Sequence, residues 1–175
     1  MDSGAYELFY QDECHFKLTL TIVRAWFLKG ITPQIKSPTD RFKISVFGAM
    51  GRNGQFIVEA DDNFDADTFQ RFLQALISRA ATDKKILLVL DNAKYHHAKR
   101  LKDYLDSVEH KLELFFLPAY SPDLNAIEMF WKKTRRAVTH NRYFPKLRDI
   151  TDALFNYWEQ FMEPNDELAN LCAFI

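Results

Sequence analysis

Apolar and polar positions alternate over residues 6–12, which predicts a strand that runs into the acidic pair Asp12-Glu13. A short extended piece is expected over residues 22–27, and Gly30, Pro33, Ser37, Pro38 and Asp40 then punctuate a loop. Residues 43–48 read as a strand, Gly51-Arg52-Asn53-Gly54 as a tight hairpin turn, and residues 55–59 as the return strand. Asp65 is suited to capping a helix in which Phe69, Phe72, Leu73, Leu76, Ile77 and Ala80 recur at helical spacing. The unbroken run Ile86-Leu87-Leu88-Val89-Leu90 predicts a central strand covered on both faces, and it ends at Asp91.

A helix with Ala98, Leu101, Leu105 and Val108 facing inward follows, then a strand over residues 112–117. Pro122 breaks the chain before a further helix. Its buried stripe is Ile127, Phe130, Trp131, Thr134 and Val138, and the adjoining stripe is Glu128, Lys132, Arg135, Arg136 and Thr139. Ile150, Leu154, Trp158 and Phe161 mark one more amphipathic helix before Pro164. This order, an early antiparallel hairpin and later crossover units, gives an α/β fold. One domain is expected over residues 1–162, with a tail over 163–175 that has room for a short helix. No internal repeat or linker divides the chain.

Composition narrows the function. With 175 residues and 47% hydrophobic content, the chain can bury a core of its own. Lysine and arginine number 23 against 24 acids, so a polyanion would have to be held locally and not by bulk charge. Cys14 and Cys172 lie far apart and form no metal-binding or disulfide pattern. No leader and no apolar run of about 18 residues is present. The expectation is a soluble cytoplasmic protein, nucleoid-associated if its source is prokaryotic.

Three acids stand at element ends: Asp12 after the first strand, Asp91 after the apolar strand, and Glu128 in the first turn of the late helix. Carboxyl ends of strands are where α/β sheets place ligands. Three converging carboxylates would repel one another, and divalent cations are the natural compensation. Two such ions about 4 Å apart suit an in-line phosphoryl displacement. The plainer reading makes Asp12 and Asp91 turn residues and Glu128 half of a Glu128–Lys132 pair. His96 and His97 read either as phosphate contacts or as polar loop residues. The cluster from Lys132 to Arg136 reads either as a solvated face or as a phosphate-binding track. Trp26, Trp131 and Trp158 are expected to fill core or edge space. No glycine-rich phosphate loop or serine nucleophile elbow is present.

Three segments carry a resemblance: Phe9-Tyr10-Gln11-Asp12-Glu13, then Leu88-Val89-Leu90-Asp91-Asn92-Ala93-Lys94-Tyr95-His96, then Leu117-Pro118-Ala119-Tyr120-Ser121-Pro122-Asp123-Leu124-Asn125-Ala126-Ile127-Glu128. With Trp26 and Gly48-Ala49 they make the chain similar to the catalytic domain of mariner-type insertion-sequence transposases, a group of DDE superfamily endonucleases. The resemblance implies a ribonuclease H-like fold with a mixed five-stranded sheet flanked by helices. It implies Asp12, Asp91 and Glu128 as the catalytic, metal-binding triad for two Mg²⁺ ions, with Mn²⁺ able to substitute. Lys94, His96, Lys132, Arg135 and Arg136 are expected to contact DNA, and Asn92 and Asn125 to support the triad.

The implied activity is DNA strand cleavage followed by transfer of the 3′ hydroxyl to target DNA. The implied partners are transposon-end and target DNA and a second copy of the chain in a homodimer; because the first catalytic strand begins near Met1, the helix-turn-helix modules usual in the family are expected either to be encoded separately or to be missing from a truncated gene or a catalytic fragment. Ala126 departs from the proline the family often carries there, and the interval from Asp91 to Glu128 is slightly long. A host nuclease of the ribonuclease H or junction-resolving type, and a non-catalytic remnant that binds DNA or a partner subunit, are the alternatives.

Overall fold

The even-numbered apolar series that begins in the first strand does not stop at Asp12: Cys14 and Phe16 are buried on the same side as Tyr10, and β1 accordingly spans Tyr6–Lys17. The structure, a computed structural model, describes residues 5–19, 21–24, 26, 28–30, 34, 42–118 and 121–173. β1 pairs antiparallel with β2 (Lys43–Gly51) on one side and parallel with β4 (Lys85–Leu90) on the other. β3 (Phe56–Asp61) joins β2 antiparallel and β5 (Leu112–Phe116) joins β4 parallel, giving a mixed five-stranded sheet in the order β3-β2-β1-β4-β5.

The pleat divides the apolar side chains into two cores. Tyr10, Cys14, Phe16, Val46, Met50, Phe56 and Val89 face α3 (Ile127–Thr134), α4 (Leu147–Trp158) and α5 (Asp166–Cys172). Phe9, Phe47, Ala49, Ile57, Leu88 and Leu90 face α1 (Ala66–Arg79) and the segment around α2 (Lys102–Val108). The run in β4 is continuous because its alternate residues enter different cores. Trp131 and Trp158 are buried as expected, whereas Trp26 is fully exposed, which corrects its assignment to core or edge space.

Local chemistry sets the element ends. Asp65 accepts from the N–H groups of Asp67 and Thr68 while Thr68 Oγ1 accepts from Asp65 N–H, a capping box of about 1 kcal/mol at the start of α1. The hairpin turns on Gly54, whose φ is +86°. A methyl at Gly54 would also meet the Asn165 carbonyl oxygen, and Asn165 Nδ2 donates to Gly54 O at 2.7 Å. The segment expected as a tail is thereby tied to the sheet, and Leu168 and Cys172 of α5 are buried in the first core.

Three expectations change. Of residues 22–27, positions 25 and 27 lie outside the described residues, and the others add no strand to the sheet; the neighbouring Thr21 forms an isolated bridge with His140. Pro33, Ser37, Pro38 and Asp40 also lie outside the described residues. The segment after Asp91 is two 3₁₀ turns, Lys94–His97 and Lys99–Leu101, before α2 begins. The late helix changes into a π turn, Arg135–Thr139, closed by His140 N–H donating to Arg135 O at 2.9 Å.

Candidate active site

Register brings the first two acids together. Tyr10 pairs with Val89 in the parallel ladder, and continuing that register by two residues sets Asp12 level with Asp91 on adjacent strands. On the other side Asp12 faces Gly48 of β2. Glu128 arrives from α3, whose start is pinned to β1 by buried Asn125: its Nδ2 donates to Gln11 O at 2.8 Å, and its backbone carbonyl accepts Glu128 N–H at 3.1 Å. Ala126 has φ −56°, a value proline would share, so its methyl leaves the helix start unchanged.

One turn beyond Glu128, Trp131 donates its indole N–H to Asp12 Oδ2 at 3.1 Å. Gly48 makes this possible, because a Cβ there would lie 2.5 Å from the Trp131 ring. Burial pushes the Asp12 carboxyl up to about 8, and the negative charges of Glu13, Glu128 and Asp91 push in the same direction. The charges acting most strongly on Asp12 are thus all negative. The Glu128–Lys132 ion pair of the plainer reading is not among those formed by the described residues, where Arg148–Asp152 is a pair at that spacing.

Asp91 is held differently. Its Oδ1 accepts Ala93 N–H at 2.9 Å and lies 3.3 Å from His96 Nδ1. The other imidazole nitrogen, Nε2, is 3.2 Å from Glu13 Oε1, which also accepts from Gln11 Nε2 at 2.9 Å. The His96 bond is the main reason Asp91 sits below the usual carboxylate range. Burial disfavours charge on His96, yet the two carboxylates outweigh it and raise the imidazole to about 9. Asn92 Nδ2 donates to Leu117 O, which ties the end of β4 to the chain after β5.

Sequence reasoning misses Glu13 although it adjoins Asp12. The available signal is the strand period itself: odd-numbered Phe9, Gln11 and Glu13 point away from the Asp12 side. His96 needs correction as a DNA contact, since its side chain is 0% exposed and both nitrogens are engaged within the protein. Lys94, Lys132 and Arg136 are exposed. Arg135 is half-buried, with Nη2 donating to Cys14 Sγ at 2.9 Å and its guanidinium 5.6 Å from the Phe16 ring centre. Burial pushes the Cys14 thiol up to about 12, so Arg135 meets a neutral partner.

Among the described residues no helix is long and apolar enough to cross a membrane. The chain is 25% identical over 158 residues to the insertion element IS630 uncharacterized 39 kDa protein of Shigella sonnei, a match covering 90% of this chain and 46% of that protein. It is 26% identical over 133 residues to the transposable element Tc3 transposase of Caenorhabditis elegans, covering 73% of this chain and 39% of that one. The chain therefore spans less than half the length of these two relatives.

Among solved structures, the Mos1 transposase paired-end complex with left transposon end superposes with a TM-score of 0.67 at 18% identity, over 96% of this chain and 51% of that one. The catalytic domain of Mos1 mariner transposase gives a TM-score of 0.62 at 17% identity, over 96% and 76%. Related Mos1 paired-end complexes were solved with Mn and with Mg. The shared fold is ribonuclease H-like, as the resemblance implied. The DDE superfamily endonuclease family matches residues 7–151, and the chain belongs to that family.

Proposed function

We propose that this chain is the catalytic domain of a transposase, which cuts a DNA strand and joins the freed 3′ hydroxyl to target DNA. The observation that carries the reading is geometric: the indole of Trp131, one turn after Glu128 on α3, donates to Asp12 Oδ2 at 3.1 Å, and the β1–β4 register continues to Asp91, so three acids from separate elements meet at one half-buried point. Such a cluster fits a divalent cation, which would offset both the burial and the repulsion that disfavour charge on Asp12. Asp12, Asp91 and Glu128 are the residues that would hold it. When bound, Mg²⁺ or Mn²⁺ supplies charge stabilisation to the attacking and leaving oxygens of a phosphodiester displacement.

The chain's own groups divide the remaining work. Trp131 orients Asp12, Ala93 N–H orients Asp91, and Asn125 sets the depth at which α3 presents Glu128. Exposed Lys94, Lys132 and Arg136 hold the DNA backbone by charge, with Arg135 behind them bracing β1 through Cys14. The proposal extends to a homodimer on paired ends, and to a helix-turn-helix segment that reads end sequence.

Asp91→Asn tests the assignment. The expected result is loss of Mg²⁺-dependent nicking of an end-containing duplex to background, with an unchanged circular dichroism spectrum. Retained Mg²⁺-dependent nicking would refute it. Equal cleavage of an RNA–DNA hybrid or a branched duplex by the unaltered chain would instead favour a host nuclease.

A further inference from the structure

Glu13 and His96 lie outside the three acids assigned to cations, yet they pair at the site with side chains only 12% and 0% exposed. We propose that they are positioning residues: His96 bridges Glu13 to Asp91 and fixes the Asp91 carboxylate in the orientation in which it binds a cation. The inference rests on the reading of Asp91 as a metal ligand given above.

The need for a support follows from where Asp91 sits. It lies just past the end of β4, with 58% of its side chain exposed, beyond the last ladder pair of that strand. A free carboxylate there would lose rotamer entropy on binding an ion, and a carboxylate held in advance would not. Its Oδ1 is held twice, by Ala93 N–H at 2.9 Å and by His96 Nδ1 at 3.3 Å, while Oδ2 has no hydrogen-bond partner among the described residues. One oxygen is anchored and the other is available.

The bridge is itself rigid. The His96 ring packs 4.3 Å from Phe69 and 4.4 Å from Tyr95, centre to centre, and its Nδ1 also lies 3.2 Å from the Asp91 carbonyl oxygen. At the far end, Glu13 Oε1 meets His96 Nε2 at 3.2 Å and is held in turn by Gln11 Nε2, from a residue 1% exposed. Support therefore runs from the interior of β1 through an immobilised imidazole to the end of β4.

Glu13, Asp91 and His96 also offer three ligand atoms within 4.8 Å of one another, so a cation held directly by this trio is the rival explanation. The geometry argues against it. The imidazole turns a different nitrogen to each carboxylate, at 3.2 and 3.3 Å, so an ion on either nitrogen would have to displace the contact already made there. The arrangement is that of a bridge, with the ring hydrogen-bonded to Glu13 and to the Asp91 carbonyl and in ion-pair contact with the Asp91 carboxylate.

Mn²⁺ binding to the purified chain, followed by electron paramagnetic resonance with melting curves in parallel, tests this. Glu13→Ala and His96→Ala are each expected to raise the Mn²⁺ Kd about 10- to 100-fold with the number of ions unchanged. The double variant should be no weaker than the worse single one, because both residues act through one path. Glu13→Gln keeps an oxygen that can accept from His96 and should stay within about threefold of the unaltered chain, roughly the scale of a neutral hydrogen bond exchanged for another. Should His96→Ala not fold, Glu13→Ala against Glu13→Gln still decides. Folded variants that bind Mn²⁺ like the unaltered chain, while Asp91→Asn does not, would overturn the proposal and leave the metal site standing. Unaltered binding by Asp91→Asn would instead remove the metal-site reading beneath it. Loss of one ion in Glu13→Gln would mean direct ligation and would also overturn the bridge.

Discussion

Trp131 and Asp12, far apart in the chain, meet through an indole N–H donated to Oδ2 at 3.1 Å. The donor stands one helical turn after Glu128, so a single helix supplies both an acid and the group that aims another acid. Trp131→Phe would keep most of the apolar packing against Phe16, Phe56 and Trp158 while removing the donor. A hydrogen bond to a charged acceptor is worth about 1.5–3 kcal/mol. The expected outcome is a fall of about 10-fold or more in strand cleavage, larger than the change in DNA affinity, checked by separating kcat from KM.

Gly48 should tolerate no side chain. Its absent Cβ would lie 2.5 Å from one Trp131 ring atom and 2.6 Å from the next. Gly48→Ala is expected to cost about 1–3 kcal/mol through overpacking, read by chemical denaturation. Cleavage should fall with it, because the displaced ring is the one that holds Asp12.

Stability without added metal should depend on pH in a defined direction. Asp12 titrates at about 8 in the fold against an ordinary value near 3.8, and His96 at about 9 against 6.5. Both folded values are raised, so the stability each contributes is complete below its unfolded value and is lost as pH climbs through its folded value. The melting temperature of the metal-free chain should fall from about pH 6.5 to about pH 9. Mg²⁺ or Mn²⁺ should restore it most at the alkaline end, since the cation binds the carboxylate that has shed its proton. A melting temperature that rises over that range would contradict the arrangement.

Lys132 and Arg136 follow Glu128 along the same segment and are exposed. Replacing either with alanine should weaken DNA binding several-fold regardless of sequence. The slope of log affinity against log salt should drop by about one for each phosphate that is no longer neutralised. Arg135→Ala should act mainly on stability, because its head group meets Cys14 and Phe16. Fluorescence anisotropy across a salt series separates the two behaviours.

Legibility in the chain differs by element. α1 is legible because its cap, its spacing and its apolar face agree, and β4 because a run of five apolar residues admits little else. Asp12, Asp91 and Glu128 are reached through element ends and resemblance. The register that sets Asp12 level with Asp91 is a tertiary fact that no local pattern encodes. Three features escape for physical reasons. The π turn leaves the hydrophobic spacing nearly intact, so helical periodicity runs on through Thr139. His96 stands in a polar stretch like any surface residue, and its enclosure depends on Phe69 and Glu13, distant in sequence, as well as on its neighbour Tyr95. The segment beyond Pro164 reads as a tail with room for a short helix, and only the contact between Gly54 and Asn165 shows that it is joined to the hairpin.

The strand pleat gives the neighbours Asp12 and Glu13 opposite outlooks, one toward an indole and one toward an imidazole. A slip of β1 by one step would put either Glu13 and Cys14 or Gln11 and Asp12 in the places of Asp12 and Glu13, so one partner would always face a side chain without a carboxylate. That peptide link therefore acts as a phase marker: the central strand cannot drift in either direction without stripping one flank of its acid.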